Sequence, residues 1–286
     1  MTSKVWFITG ASRGLGRIWA DAALTRGDKV AATARTGADV ADLTDRFGDA
    51  VLPLALNVTD ADQARQAVQR AHAHFGRLDV VLNNAGYSLV GTVEEASAAD
   101  VRALFDTNFF GTLHVLHAAL PLLREQGSGH IIGVSSSLGI VPIPLIGFYC
   151  ASKAAIESLH ESLAPEIAGF GIKVTLIEPG AYATDFGSPS SLKIAPGMDA
   201  YVDLRQRVFG GLSHAERGDP HATADAILTV VDAETPPLRF ILGSGTLPRA
   251  RATYADRLTT WEAWEAVSNA AQGEPKKAAA PIADHT

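Results

Sequence analysis

The stretch Val5-Trp6-Phe7-Ile8-Thr9-Gly10-Ala11-Ser12-Arg13-Gly14-Leu15-Gly16 decides the fold. Its short apolar run reads as a buried strand, its glycines as a tight turn, and the segment onward through Arg26 as a helix. A glycine turn feeding a helix N-terminus offers free backbone N–H groups and the positive end of the helix dipole, both of which attract phosphate. Gly10 then permits the turn, Gly14 lets backbone approach a pyrophosphate, and Gly16 lets helix and strand pack closely. Ser12, Arg13 and Leu15 complete this candidate dinucleotide cradle. The alternative is a plain strand-to-helix turn.

Working outward, apolar runs alternate with helically periodic stretches as far as about residue 180, the pattern of repeated βαβ units around a buried parallel sheet. Strands are expected at Val5 to Thr9, Lys29 to Thr33, Val51 to Leu56, Asp79 to Asn83, His130 to Ser135, Lys173 to Glu178 and Leu238 to Leu242. Right-handed crossovers make this a doubly wound, Rossmann-type three-layer α/β fold with a seven-stranded parallel sheet, whose ligands bind at the strand C-terminal ends. Residues 1–268 are expected to form one catalytic domain. Within it, 184–221 mix Gly, Ser and Pro with apolar residues and read as a substrate-covering loop with short helices. Residues 269–286 read as a disordered tail.

The 286 residues carry 24 Lys and Arg against 31 Asp and Glu, a formal charge of -7, so nucleic acid is not an expected partner. The single cysteine, Cys150, forms no intrachain disulfide, and a reducing cytoplasm is the expected location. Residues 131 to 152 are uncharged and long enough to span a bilayer. Pro142, Pro144, three glycines and four serines break such a helix, so the stretch reads as interior and no membrane association is expected. The nine histidines are scattered, and no metal is called for.

Cofactor choice follows from charge. An acidic residue near the end of the second strand would bind a ribose 2′-hydroxyl, but that place reads Thr33, Ala34, Arg35. Arg35, with Arg13, is suited to clamp a 2′-phosphate, so NADP(H) is expected over NAD(H); the alternative is that both are solvated surface charges. Asn57, just after the third strand with Val58 beside it, carries an amide suited to adenine, or is simply a turn residue.

Tyr149 and Lys153 stand four apart near the start of a helix expected to run to about Ala168, so both project from one face. An ammonium beside a phenol favours the phenolate, which predicts that Lys153 activates Tyr149. Upstream, Val134-Ser135-Ser136-Ser137 ends a strand, where a hydroxyl could hold a substrate carbonyl oxygen.

With TGASRGLG at 9–16, NNAG at 83–86 and YCASK at 149–153 in order, the chain resembles the single-domain short-chain dehydrogenases/reductases over residues 4 to about 180. Pro179, Gly180 and Thr184 look like that family's segment beside the nicotinamide. The resemblance implies Ser136 as catalytic serine, Tyr149 as general acid/base, Lys153 as its partner that also binds the nicotinamide ribose, and Asn108 as the fourth member. Asn108 also lies on the helical stripe Val101, Phe105, Thr112, Val115, Ala119, Leu122, where it reads equally as a core hydrogen-bonding group. Asn84, Ala85 and Gly86 are implied to steady the sheet and border the cofactor. Asn57 departs from the aspartate of many relatives. Assembly as a homodimer or homotetramer, through the helices bearing Asn108 and Tyr149, is implied as well.

The implied reaction is hydride transfer between a nicotinamide and a carbonyl carbon, with an alcohol as the reduced product. Leu138, Ile140, Val141, Pro142, Ile143, Leu145 and Phe148, with the apolar residues of 184–221, favour an apolar ketone or aldehyde, unless they pack on one another. IEPGAYATDF at 177–186 and PPLRFILG at 236–243 resemble a subgroup related to 17β-hydroxysteroid and retinol dehydrogenases. Two other readings stand beside this one: an NAD-dependent alcohol dehydrogenase, and a dinucleotide-binding sensor without turnover.

Overall fold

The computed structural model describes residues 3–213 and 216–274. The strands of its main sheet are β1 (Val5–Ile8), β2 (Lys29–Ala34), β3 (Val51–Ala55), β4 (Val80–Asn83), β6 (Gly129–Val134), β7 (Ile172–Pro179) and β9 (Arg239–Leu242). They are ordered β3-β2-β1-β4-β6-β7-β9 and every neighbouring pair is parallel. All seven expected strands are present, with ends shifted by at most one residue. Winding reverses between β1 and β4, so the turns after these two strands open a crevice at the switch point.

Period-two alternation builds a core on each face of this sheet. Trp6, Ile8, Val30, Ala32 and Leu82 pack with Trp19, Ala20 and Ala23 of α1 (Gly14–Thr25) and with Ile227, Val230 and Val231 of α9 (Thr223–Asp232). Val5, Phe7, Ala31, Val81 and Ile131 face the other way. They meet α3 (Ala61–Phe75), α5 (Gly111–Gln126) and the C-terminal half of α7 (Gly147–Ile167). Helix α2 (Asp42–Phe47) links β2 to β3, α4 (Ala98–Phe105) precedes α5, and the short α6 (Ser137–Ile140) follows β6.

Two findings revise the sequence reading. The segment 184–221 is more regular than a loop: β8 (Leu192–Ile194) pairs in parallel with β5 (Ser88–Val90), and α8 (Val202–Ser213) follows. Both strands have three residues, too short for a periodicity to register. Among the described residues the chain also divides into two compact units, one ending at Thr246 and one beginning at Leu247, beside the single domain expected over 1–268. The second unit contains α10 (Thr246–Ala263) and α11 (Glu265–Gln272). Leu247, Tyr254, Leu258 and Trp261 recur at helical spacing like a core face, yet all four are exposed. Of the tail expected over 269–286, residues 269–272 continue α11, and 275–286 lie outside the described residues. Among the described residues no helix is long and apolar enough to cross a membrane.

Candidate active site

The turn after β1 has the form its sequence demands. Gly10 and Gly14 hold φ of +68° and +58°, the left-handed region open to glycine. Helix α1 starts with no side-chain cap and no acidic residue in its first turn, so its N–H groups and dipole face the crevice uncompensated. Gly16 serves packing in a way the sequence did not indicate: a Cβ there would stand 2.4 Å from Asn84 Nδ2 and 2.5 Å from the Gly10 carbonyl oxygen. The Asn84 amide uses that space to donate to the carbonyls of Thr9 and Gly10, both at 3.0 Å. Thr9 Oγ1 in turn accepts the N–H groups of Asn84 and Ala85. The two strand ends at the switch point are thereby locked together. Ser12 and Leu15 lie half-buried along this turn.

The two arginines separate. Arg13 donates to Ser191 Oγ and the Ser190 carbonyl, tying the turn to the segment before β8. Arg35 lies exposed just past β2 with no ion-pair partner among the described residues. Asn57 behaves as a turn residue, its Oδ1 accepting from Thr59 N–H and Oγ1. The Val58 carbonyl is hydrogen-bonded by His114 Nδ1. Pro179 ends β7, the Gly180 N–H donates to the Leu242 carbonyl, and Thr184 caps the next turn. A Cβ built on Gly14 would come 4.0 Å from Thr184 Cβ, so these two loops border one space.

The four residues expected to be catalytic converge beside that space. Asn108 sits in a π-helical turn, Asp106–Phe110, between α4 and α5, and not on the regular helical stripe expected. The extra residue of such a turn re-aims side chains, and here it buries the amide. Asn108 donates to the Tyr87 carbonyl and to Ser152 Oγ at 3.0 Å each, and accepts the Tyr87 N–H at 3.1 Å. A Cβ on Gly86 would lie 3.1 Å from Asn108 Oδ1 and 3.5 Å from Lys153 Nζ, which places NNAG against both. Lys153 donates to the Val134 carbonyl at 2.8 Å. Ser136 caps α6 by accepting the Leu138 N–H at 3.1 Å, and its side chain acts on the Tyr149 phenol.

Electrostatics here differ from the expectation. Tyr149 is buried, and burial pushes its phenol well above the usual tyrosine value against the lowering effect of Ser136. Lys153, 5.7 Å from the centre of the Tyr149 ring, is buried too, and desolvation brings its ammonium down to about 8. Burial thus opposes the phenolate that the expected activation by Lys153 would favour, and it favours the protonated phenol, the form that donates to a carbonyl oxygen.

Val90, Leu145, Ile146 and Cys150 pack around Tyr149, with Leu138, Ile143, Leu192, Leu204 and Val208 against them. The Phe186 ring lies 5.8 Å from that of Tyr149. Leu145 holds φ of +68°, costly for a branched side chain, while its carbonyl accepts the Gly91 N–H at 2.7 Å. Two positions missed by sequence reasoning hold this wall. Glu95 accepts from Arg205, Thr92 N–H and Met198 N–H, and the Arg205 guanidinium holds its carboxyl down to about 2. Ser191 receives Arg13. An isolated glutamate or serine in a loop carries no periodicity or motif that would have marked either.

A Rossmann-type sheet with a glycine cradle and a buried Asn-Ser-Tyr-Lys cluster defines a class of dinucleotide-dependent oxidoreductase. The family model described as "short chain dehydrogenase" matches residues 4–194. The chain is 39% identical over 270 residues to Oxidoreductase BOA17 of Botryotinia fuckeliana, covering 93% of this chain and 98% of that one. It is 35% identical to 3-ketodihydrosphingosine reductase of Bacteroides thetaiotaomicron, covering 85% and 89%. A solved short-chain dehydrogenase from Streptomyces avermitilis superposes with a TM-score of 0.86 at 36% identity, over 94% of this chain and 98% of that one. The chain belongs to the short-chain dehydrogenase/reductase family and is an NAD(P)-dependent oxidoreductase.

Proposed function

We propose that the protein is an NADP(H)-dependent reductase that converts an apolar ketone or aldehyde to its alcohol. The observation that carries this reading is the convergence of Asn108, Ser136, Tyr149 and Lys153 within apolar walls, where burial favours the protonated form of the Tyr149 phenol. The uncapped start of α1 and the open backbone at Gly14 fit a dinucleotide pyrophosphate. Bound there, the nicotinamide would supply the hydride. In the proposed reaction Ser136 orients the carbonyl oxygen, Tyr149 donates the proton to it, and Lys153 holds the nicotinamide ribose and favours the phenolate left behind. Asn108 fixes the Tyr87 and Ser152 backbone and side chain around these groups.

Arg35 supports NADP(H): it is exposed and unpaired among the described residues past β2, with no carboxylate at the strand end to repel a 2′-phosphate. A short-chain dehydrogenase structure from Burkholderia cenocepacia, 27% identical with a TM-score of 0.72, is a complex with NADP. The relative named 3-ketodihydrosphingosine reductase supports ketone reduction. The reading includes assembly as a homodimer or homotetramer through helices next to Asn108 and Tyr149, and a cytoplasmic location. The test is consumption of NADPH, and separately NADH, across aromatic ketones, aldehydes, quinones and steroids, with the alcohol identified by mass spectrometry. NADPH-dependent alcohol formation is expected. Oxidation of alcohols with NAD and no reduction with NADPH would overturn it.

A further inference from the structure

Behind the catalytic cluster lies a buried charged group that the proposed chemistry does not use. Glu157 sits one turn beyond Lys153 on α7 and is buried. Its Oε1 accepts from Ser135 Oγ at 2.7 Å, and its Oε2 lies 3.0 Å from Arg239 Nη1 of β9. Arg239 also contacts Glu178 of β7 at 2.5 Å and Glu161 of α7 at 2.6 Å, so one guanidinium serves three carboxylates. Space for the Glu157 carboxylate is made by Gly139 of α6, where a Cβ would stand 2.0 Å from Oε1.

Carboxylates are not buried without cause, because burial strips them of the water that solvates their charge. Two groups near this carboxylate lead to the reaction site: Ser135, which donates to it, and Lys153, one turn back on α7. Ser135 is the residue before Ser136, and its backbone N–H is held by the Ile177 carbonyl at 2.8 Å, so anchoring Ser135 fixes the strand end that presents the Ser136 hydroxyl. Lys153 has a neutral carbonyl, that of Val134, as its hydrogen-bond acceptor. The charged or titratable groups acting on it are Glu157, Tyr149 and His160, all of α7, while β6 and the Asp106–Phe110 turn present only neutral groups, the Val134 carbonyl and Asn108. Of these, Glu157 carries the negative charge that favours the ammonium.

We propose that Glu157, tied to β9 through Arg239, is a positioning residue that fixes Ser136 through Ser135 and sets its carboxylate one helical turn from Lys153. The consequence for catalysis rests on the reductase reading, whereas the effect on Lys153 does not. Desolvation already brings Lys153 down to about 8, so loss of the Glu157 charge would lower its ammonium fraction further at neutral pH.

The test uses Glu157→Gln, which keeps volume and an acceptor for Ser135, in the full-length protein labelled with 13C at lysine Cε. The Lys153 resonance, assigned with Lys153→Met, is titrated with pH. Its midpoint is expected to fall by about one pH unit in Glu157→Gln, the scale of a lost neighbouring charge. It is expected to stay put in Glu161→Gln, which touches Arg239 alone and is half exposed. The alkaline limb of kcat/KM for NADPH-dependent reduction of phenanthrenequinone should move with the Lys153 midpoint. An unchanged midpoint in folded Glu157→Gln overturns the proposal. Should that variant not fold, Ser135→Ala is expected to lower kcat about tenfold with KM for the quinone unchanged, and an unchanged kcat overturns it equally. Equal turnover by wild type and Tyr149→Phe would refute the reductase reading and leave the Lys153 titration to stand or fall alone.

Discussion

Arg13 Nη2 donates to Ser191 Oγ at 2.9 Å, so the dinucleotide turn and the strand that edges the substrate wall are joined by one side chain. On the proposed NADP(H) reading, Arg35 is then the cation for a 2′-phosphate. Arg13→Gln is accordingly expected to raise KM for the carbonyl substrate severalfold by loosening residues 190–194, with the ratio of kcat/KM for NADPH over NADH little altered. Steady-state kinetics with both cofactors separate the two effects.

Arg35→Asp removes the unpaired cation and adds a charge that repels the 2′-phosphate while accepting a ribose hydroxyl. The NADPH over NADH ratio should fall by about two orders of magnitude, the scale of a lost charge-assisted contact. An unchanged ratio would place cofactor choice elsewhere.

Gly16→Ala is expected to damage the switch point. The new Cβ meets Asn84 Nδ2 and the Gly10 carbonyl at 2.4 and 2.5 Å, so the Asn84 amide must leave its two acceptors or α1 must shift. Overpacking of this kind costs about 1–3 kcal/mol, and for a domain of this size lowers Tm by roughly 2–4 °C per kcal/mol. Thermal melting should show that loss, with weaker NADPH binding by fluorescence titration.

Acid should destabilise the protein through two buried imidazoles. Burial holds His130 down to about 3 and His160 to about 4. His160 fills the space left by Gly133, where a Cβ would stand 2.5 Å from Nε2, and His130 Nε2 bonds Thr175 Oγ1 at 2.9 Å. The unfolded chain binds protons at these sites from about pH 6.5 downward and the folded chain does not, so stability falls as pH drops from 6.5 toward 4. The fall in Tm over that window should be smaller in His160→Gln than in the wild type.

The strands were legible because the central ones, β1 and β4, are buried on both faces as short apolar runs and the others keep an apolar core face, and the cradle because its glycines and flanking elements occur together. Tyr149, Lys153 and Ser136 were legible through spacing and family resemblance. Their charge states were not, since desolvation is a property of the assembled walls: Tyr149 and Lys153 shift in directions that a pair considered alone would not show. Asn108 was found as a position but not as a conformation, because a π-turn leaves no composition signal. Arg13 could not be assigned from sequence, since its partners Ser190 and Ser191 lie more than 170 positions away. Glu157 looked like an ordinary polar residue of a long helix, and only the meeting of α6, α7, β7 and β9 reveals its burial.

The central claim is that Tyr149 donates the proton in an NADPH-driven carbonyl reduction, and the most direct measurement is absorbance at 340 nm with NADPH and the carbonyl panel for wild type and Tyr149→Phe. Phenylalanine keeps the ring against Phe186 and removes only the hydroxyl. Proton donation by a positioned group contributes about 10²–10⁴-fold, so the variant should lose at least two orders of magnitude in kcat while still binding NADPH. Turnover by Tyr149→Phe within a few-fold of the wild type would contradict the account.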